Sequence, residues 1–398
     1  MAKKMLFLFV LLLSLTGMLK AQVTTAGMSG KVMADEESVI GATVVAVHEP
    51  SGTSYGTVTN VDGRFSLQGM RSGGPYKVTV SYIGYQTAIY TGIQLQLGET
   101  YSLNVTLHEA SELLGEITIT ASRSKFSAEK TGATTNISSE QLTTLPSINR
   151  SISDFTRISP YASGNSFGGR DGRSNTFTVD GANLNNNFGL SSGLPGGGNP
   201  ISLDAIDEVQ VVIAPYDVRQ ANFIGAGINA ITKSGTNAYR GSAYMYFNNE
   251  VMRGNKIGDT DFGVRAEESK TVYGATFGGP IIKDKLFFFA NVEYEKSPQQ
   301  VITWRAAKEG ETPNNSTISR TTEADLAELS QILKDKYGYN TGSFTDFPAD
   351  VTNLKLLGRI DWNINQGNKL SVRYNFTNNK TWEAPNGSSG NTGYRLAY

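Results

Sequence analysis

The sequence contains no cysteine, and this absence excludes disulfide frameworks, thiolate metal sites and cysteine nucleophiles. It also predicts no lipid anchor, because a lipoprotein signal needs a cysteine at its cleavage point. Histidine is scarce too, since His48 and His108 are the only two in the chain. That count argues against a histidine-based zinc site and against a Ser-His-Asp triad. We therefore expect no metal, no cofactor and no catalytic residue.

Long apolar runs are also missing, apart from Met5–Leu15. That run follows two lysines, precedes the small residue Ala21 and is shorter than the ~20 residues of a spanning helix. It predicts a secretory signal peptide over residues 1–21. Removing its two lysines and Lys20 leaves 32 of the 35 basic residues against 36 acidic ones. Nucleic acid, which selects basic proteins, is therefore not expected as a partner.

Glycine, tyrosine and phenylalanine are plentiful, with 43, 18 and 18 residues, a balance that suits β-structure with many turns. Residues 22–110 combine short strands with turn signals at regular spacing and predict an all-β sandwich. The predicted strands are Gly30–Val32, Ala42–Val47, Tyr55–Val58, Arg64–Leu67, Tyr76–Tyr82 and Ser102–Leu107. The segment resembles the carboxypeptidase-regulatory-like domain, a transthyretin-like sandwich, in Gly41-Ala42, Thr57–Phe65 and Val80–Tyr85.

Residues 111–123 contain an apolar–polar alternating stretch for which the sequence offers no adjacent strand partner. One interpretation makes it the last strand of the sandwich or a linker strand. The other makes it an extended segment offered to the sheet edge of another protein, where backbone hydrogen bonds would supply the affinity. Both interpretations remain open at this point.

Residues 124–237 mix helices and strands with glycine and asparagine turns between them. The loop Asn187–Asn199 is rich in glycine but lacks the lysine-serine/threonine ending of a P-loop, which argues against phosphate binding. Predicted helices and strands are Ser139–Leu145, Ser151–Arg157, Thr176–Val179, Glu208–Ile213 and Ile228–Thr232.

From residue 238 to 398 the sequence alternates between apolar and polar residues over long stretches, with exceptions at Phe287, Phe289 and Leu357. A soluble β-sandwich would give the same alternation as a membrane β-barrel, so the lengths of the connections are needed to decide between the two. Five strands are predicted, at Gly241–Asn249, Lys270–Gly278, Leu286–Lys296, Asn353–Ile364 and Lys369–Asn378. Short connections alternate with long polar ones, one of which holds a predicted helix at Glu323–Tyr337. Short turns at one end and long loops at the other are typical of outer-membrane β-barrels.

In this order along the chain, several motifs resemble the TonB-dependent outer-membrane receptors. Arg170, Asn175, Val179, Asp180 and Gly181 match the motif that ends in Val-Asp-Gly. Further matches are Asp207-Glu208-Val209 with Pro215, and Gly227-Ile228-Asn229 with Thr232–Thr236. In position, the TonB box corresponds to Glu116, Ile117, Thr118, Ile119, Thr120 and Ala121. The chain departs from the family pattern at Ile213-Ala214 and at Tyr216–Arg219, which leaves its substrate branch open.

The resemblance implies a mainly β protein of the outer membrane: the sandwich at 22–110, a TonB-box-like segment at 111–123, an α+β plug at 124–237 and the first strands of an antiparallel barrel at 238–398. Solute would bind at the outer loops, and TonB would then pair with the box and displace part of the plug. Arg170, Asp171, Arg173 and Asp180 of the plug are expected to pair with Glu293, Arg359, Asp361 and Arg373 in the lumen. Expected partners are TonB, outer-membrane lipid and an unknown bulky solute. The direction of transport and a surface lipoprotein partner are left open.

Three further expectations complete the picture. Receptors of this class close with about 22 strands, so the five predicted strands indicate the N-terminal part of a longer protein. A rival function is surface carbohydrate binding by the sandwich, with Tyr82, Tyr85 and Tyr90 stacking on sugars. A secreted hydrolase using Asp204, Asp207 and Glu208 is a weaker alternative, because acidic residues that begin a strand are usually solvated.

Overall fold

The computed structural model is mainly β, as the sequence predicts. It describes residues 23–34, 37–109, 117–120, 133–147, 150–185, 194, 199–215, 217, 220–261, 269–300, 305–313, 318–342 and 348–381. The predicted signal peptide, most of the loop 187–199, Glu116 and Ala121 lie outside these residues. Among the residues described, no helix is long and apolar enough to cross a membrane. The predicted domain limits at 22–110, 124–237 and 238–398 stay predictions.

The N-terminal part is a β-sandwich of two five-stranded sheets. Its strands are β1 (Ala26–Ala34), β2 (Glu37–Ser38), β3 (Thr43–His48), β4 (Thr53–Val58), β5 (Arg64–Met70), β6 (Gly73–Ser81), β7 (Ala88–Leu95), β8 (Thr100–Ser102), β9 (Val105–Leu107) and β10 (Ile117–Thr120). In one sheet β1 lies between β2 and β5 and also pairs with β8 and β9. The other sheet has the order β10-β7-β6-β3-β4.

Alternating burial explains why these segments form a sandwich. In β6, Tyr76, Val78 and Val80 are fully buried while the residues between them are not. In β5, Phe65 and Leu67 are buried in the same way. Each strand therefore contributes one apolar face to a shared core between the sheets. Sequence reasoning missed β7, whose burial pattern is interrupted at Gly92.

The predicted plug segment is an α+β layer whose apolar core also includes Phe289 and Leu357 from further along the chain. Its strands are β11 (Ala133–Ser138), β12 (Ala162–Ser163), β13 (Ser166–Phe167), β14 (Thr176–Val179), β15 (Ala182–Asn183), β16 (Ile206–Ala214) and β17 (Gly227–Thr232), and its helices are α1 (Ser139–Thr144) and α2 (Ile152–Thr156). The main sheet has the order β11-β16-β17-β14-β15. Capping boxes at Ser138 and Ser151 begin the two helices, which confirms both helix predictions.

Five long strands form a further sheet in which each strand is bonded to the next in chain order. They are β18 (Arg240–Asn249), β21 (Ser269–Ile282), β22 (Leu286–Gln300), β25 (Pro348–Asn363) and β26 (Lys369–Lys380). The short strands β19 (Lys256–Ile257), β20 (Thr260–Asp261), β23 (Arg305–Ala307) and β24 (Ile318–Thr322) and the helix α3 (Glu323–Tyr337) lie in the long connections. All five strand predictions and the helix are confirmed. Within the described residues, the sheet does not close on itself.

The chain divides into two compact units. The first holds the described residues up to Gly241 together with Thr276–Asn291 and Leu357–Asn375. The second holds Ser242–Ala275, Val292–Leu356 and the chain from Phe376 onward. The sandwich and the plug segment therefore share one unit with parts of the long strands.

Candidate functional site

The Val-Asp-Gly motif is the turn of a small hairpin. Val179 pairs with Ala182, so Asp180 and Gly181 alone connect β14 to β15. Their φ angles are 49° and 86°, both in the left-handed region. A two-residue hairpin turn with positive φ at both positions is the type I′ turn, for which Asp-Gly is a preferred sequence. The motif therefore fixes where the Asp180 carboxylate is presented.

The Asp180 side chain is buried and holds three elements together. Its carboxylate accepts hydrogen bonds from the Thr232 amide at 3.0 Å and from the Thr232 hydroxyl at 2.6 Å. It also lies 3.9 Å from the Arg359 guanidinium in β25 and 3.4 Å from that of Arg373 in β26. One carboxylate thus joins the β14–β15 hairpin, the end of β17 and two of the long strands.

Arg359 and Asp361 extend this contact into a charge cluster, which we define as Arg71, Asp180, Asp207, Arg359, Asp361 and Arg373. Arg359 donates to both carboxylate oxygens of Asp361, at 2.7 and 3.1 Å, and also to the Thr232 carbonyl at 2.5 Å. Asp361 in turn lies 3.5 Å from Arg71 of the sandwich. Bidentate, charge-assisted bonds of this kind are the stronger polar contacts in proteins. The cluster therefore ties sandwich, plug segment and long strands to one another.

Asp207 is a member of the charge cluster whose carboxyl pKa is raised. Loss of hydration raises the pKa of its carboxyl group, and the positive charges of Lys233, Arg359 and Arg71 oppose that rise. Nearby cations favour the ionised form of a carboxyl group, whereas burial favours its neutral form. Any movement that separates Asp207 from those cations would favour uptake of a proton.

Three other motif residues lie around the parallel pair β14–β17. Asn175 donates to the Asn165 carbonyl at 2.8 Å and accepts from the Ala226 amide at 3.0 Å. Asn229 accepts from the Thr178 hydroxyl at 2.8 Å. Gly227 allows the Phe223 ring to lie close to the backbone of β17, since a Cβ at this position would be 2.7 Å from that ring. These residues thus fix the plug sheet and its loops.

The predicted ion pairs of the plug are confirmed for Asp180 alone. Asp171 and Arg173 are wrong as partners of the long strands, because they bind each other at 2.9 Å with both side chains more than half exposed. They belong to the same short turn, so that pairing costs little chain entropy. Arg170 is exposed and makes no ion pair within the described part of the chain.

In the second compact unit, Glu293 binds residues of the long strands. Lys355 donates to it at 2.8 Å and the Tyr244 hydroxyl donates to it at 2.9 Å. Glu295 binds Lys270 at 2.7 Å and lies 3.8 Å from Lys355. The Lys355 and Glu293 side chains are only 3% and 5% exposed, so these are enclosed ion pairs.

The long strands invert the usual burial of a water-soluble sheet. In β25, Lys355 and Asp361 are buried, whereas Ile360 and Trp362 are 46% and 45% exposed. In β22, Asn291 and Glu293 are buried while Val292 and Tyr294 are exposed. Charged side chains are almost never fully buried unless they are paired, as Lys355 is with Glu293. Polar residues inside and apolar residues outside are the pattern of a strand between lipid and a lumen.

The sandwich contacts the plug segment through the loop that follows β7; we call this the Leu97 contact. The Leu97 amide donates to Glu208 of β16 at 3.0 Å, and its carbonyl accepts from Gln210 and from Asn136. Leu97, Glu208 and Gln210 are all buried. Nothing in the local sequence of Leu97 or of Arg71 indicated a role, because each acts only through a distant part of the chain.

The TonB-box-like residues Ile117–Thr120 form β10, which pairs with β7 in parallel. The register places Ile117 opposite Ala88 and Thr120 opposite Thr91. Of the two interpretations of this stretch, the pairing agrees with the one that makes it a strand of the sandwich. β10 nevertheless lies at the edge of its sheet.

The residues named for the rival functions are partly engaged elsewhere. Tyr90 is buried in the sandwich core, which corrects its assignment as an exposed sugar-stacking residue. The ring centroids of Tyr82 and Tyr85 lie 5.7 Å apart near the surface. Of the three acidic residues, Asp204 pairs with Arg150 and Glu208 belongs to the Leu97 contact. Among the described residues, no group of His, Asp and Glu is arranged to hold a metal ion.

Comparison with known proteins gives two family matches. Residues 27–108 match the carboxypeptidase regulatory-like domain, and residues 231–397 match an outer membrane beta barrel domain. The chain is 25% identical over 344 residues to the TonB-dependent transporter Oar of Myxococcus xanthus, covering 81% of this chain and 30% of Oar. It therefore spans about a third of the length of that relative.

Two solved structures are similar to parts of the chain. The siderophore receptor PirA of Acinetobacter baumannii is 19% identical with a TM-score of 0.42, over 64% of this chain and 32% of PirA. The outer membrane transporter YddB of Escherichia coli is 14% identical with a TM-score of 0.42, over 64% of this chain and 34% of YddB.

Proposed function

We propose, from the premise that this chain carries the domains of a TonB-dependent outer-membrane receptor, that it moves a bulky solute across the outer membrane by energy-coupled displacement of its plug. The protein is located in the outer membrane. The domains proposed are the sandwich at 22–110, the box segment at 111–123, the plug at 124–237 and the barrel strands from 238 onward.

The inverted burial of the long strands is the observation that carries this proposal. Their exposed apolar side chains would face lipid, and their buried ion pairs would line the lumen. Replacing the apolar face by charge near the middle of a bilayer costs ~2–4 kcal/mol per residue for Arg or Lys. A sheet with this pattern is suited to a membrane and unsuited to water.

The charge cluster supports a plug that is held but can be released. Asp180 is bound by hydrogen bonds and ion pairs rather than by an apolar interface. Water that enters the lumen can replace such bonds one at a time, at a net ~0.5–3 kcal/mol each. A pull would break these polar contacts one at a time, and it would also have to separate the plug core from Phe289 and Leu357 of the long strands.

Energy would reach the plug through Glu116–Ala121, the TonB-box-like segment. A strand of the periplasmic protein TonB would add to this segment by backbone hydrogen bonding. We propose no catalytic role for any residue, since Asp204 and Glu208 are engaged in structural contacts. A surface lipoprotein partner and the direction of transport remain open proposals.

The proposal is tested with the full-length protein and the purified periplasmic domain of TonB from the same bacterium. Ile119→Pro, which removes a backbone donor, should abolish binding, whereas Ile119→Val should retain it. Mass spectrometry of the growth medium should then show at least one bulky solute that wild-type and Ile119→Val cells deplete. Ile119→Pro cells, and wild-type cells treated with an uncoupler, should not deplete it. Equal depletion by all strains would contradict energy coupling.

A second candidate function is carbohydrate binding by the sandwich. One observation favours it: a groove of about 1060 Å³ in the sandwich. The groove is lined by the polar side chains of Lys31, Asn60, Arg64 and Asn104, by several hydroxyl groups and by apolar residues such as Met33 and Val58. The groove does not include Tyr82, Tyr85 or Tyr90. A glycan array probed with wild-type protein and with Asn104→Ala decides the matter, since only binding lost in the variant would assign sugar recognition to the groove.

A further inference from the structure

The edge formed by β10 lacks the features that normally protect a sheet edge. Natural proteins guard edge strands with charged residues, proline or bulges, because an open strand pairs readily with another chain. The sequence of β10 is Ile-Thr-Ile-Thr, with four β-branched residues of high β propensity and no charge. β7 occupies one side of it, and no strand of the described residues pairs with the other.

Backbone geometry leaves this second side available for pairing. In a strand, successive residues direct their N–H and C=O groups alternately to opposite sides. The in-register pairing with β7 covers Ile117 to Thr120 and uses the groups on one side only. A partner strand can therefore add to β10 without displacing β7.

Because β7 holds β10 in an extended conformation, binding of a partner strand to β10 is also favoured. Fixing the backbone of one residue costs ~1–2 kcal/mol. A four-residue segment that is already extended has met much of this cost before the partner arrives, and preorganisation of this kind raises affinity. A free tether would have to be ordered during binding.

The same strand β7 leads directly to the plug. β7 ends at Leu95, and two residues later Leu97 makes the buried contact with Glu208 and Gln210 of β16. Gln210 in turn lies within 3.5 Å of Asn229 in β17. A pull on β10 would thus reach the plug sheet through β7 and the Leu97 contact, in addition to the covalent chain.

We infer that the sandwich presents the TonB-box-like strand, so that TonB adds its strand to the outer edge of β10 while β10 remains paired with β7. The inference rests on the proposed function and goes beyond it. It makes the sandwich part of the TonB-binding surface, and it makes β7 and the Leu97 contact part of the route by which force reaches the plug. The sandwich is then a coupling element and not a passive extension.

A disulfide between β7 and β10 tests the inference, and residues 1–398 contain no native cysteine that would compete with it. Thr91 and Thr120 are opposite each other in the register, which suits disulfide spacing. The Thr91→Cys/Thr120→Cys double variant of the full-length protein is titrated with the periplasmic domain of TonB in oxidised and reduced forms. We expect both forms to bind, with dissociation constants within threefold of each other. Each single cysteine variant serves as a control for the substitutions themselves.

The alternative outcomes separate the two ideas. Binding that is at least tenfold weaker after oxidation, and restored by reduction, would show that β10 must leave β7, and would overturn the inference alone. Failure of the disulfide to form would also overturn it, because it would contradict the pairing. Absence of binding by wild type and by every form would overturn the proposed function with it. As a second measurement, hydrogen exchange at residues 117–120 should slow when TonB binds.

Discussion

Lowering the pH from 7 to 5 should destabilise the sandwich through its buried histidine. His48 is 4% exposed, its Nδ1 lies 2.7 Å from the Ser51 hydroxyl, and its ring centroid is 5.1 Å from that of Tyr76. Burial, helped by the positive charge of Arg71, lowers the pKa of His48 from 6.5 to about 3. Both the burial of the ring and the positive charge of Arg71 disfavour a protonated imidazole in this site.

The size of the effect follows from the two pKa values. Between pH 6.5 and pH 3 the unfolded chain binds a proton at His48 and the folded chain does not, so stability falls as the pH falls. The loss reaches about 5 kcal/mol below pH 3, and the part between pH 7 and pH 5 is about 2 kcal/mol. This is a large fraction of the stability of a small domain.

Urea unfolding of residues 23–109, which contain their own apolar core, measures this loss by circular dichroism at the two pH values. His48→Asn keeps a polar group near Ser51 but cannot take up the proton, so its stability should change about 2 kcal/mol less than wild type. Carboxylates titrate in both proteins and cancel in the difference. The reasoning is refuted if wild type and variant lose equal stability, or if the His48 resonances titrate near pH 6.5 in the folded protein.

Three further outcomes are expected. Asp180→Asn leaves Arg359 and Arg373 without their shared counter-ion and should destabilise the plug by ~3–5 kcal/mol in urea unfolding in micelles. Asp171→Asn, at an exposed pair, should leave the unfolding midpoint nearly unchanged. Glu208→Ala leaves the buried Leu97 amide without its acceptor, so hydrogen exchange at residues 96–99 should quicken by ~10- to 100-fold. Glu208→Gln keeps an acceptor oxygen and should restore the protection. Unchanged exchange in Glu208→Ala would refute the contact. Gly227→Ala places a Cβ 2.7 Å from Phe223 and should lower plug stability by ~1–3 kcal/mol, while Gly56→Ala, with open space around its Cβ, should not.

The strands that were predicted from apolar–polar alternation are present in the structure, because this alternation depends only on neighbouring residues. The alternation in 353–364 predicted β25, and Arg359 and Asp361, which were expected to face a lumen, are buried and paired with each other. β7 was missed because Gly92 interrupts its pattern. Its pairing with β10 agrees with one of the two interpretations that the sequence left open, but the partner strand was not predicted, since a parallel neighbour 29 residues away in the register leaves no local signal.

The candidate site was predictable only in part. Asp180 was identified from its motif, and its pairing with the long strands followed from charge and position. Arg170, Asp171 and Arg173 carry the same type of signal, yet the short turn holds Asp171 and Arg173 together at the surface. The identity of a charged residue does not show whether its side chain points toward the long strands or toward the solvent, because the backbone conformation of the turn that holds the residue sets that direction.

The sequence by itself determined the elements of this protein: strands whose two faces suit different solvents, the type I′ turn at Asp180-Gly181, and two helices begun by capping boxes. These features arise from interactions within a few residues of one another. Only the tertiary structure decided which distant groups meet, such as Leu97 with Gln210, Arg71 with Asp361 and β10 with β7. Such contacts depend on how packed layers bring remote backbone groups into hydrogen-bonding distance, and a pattern of neighbouring residues does not contain that information.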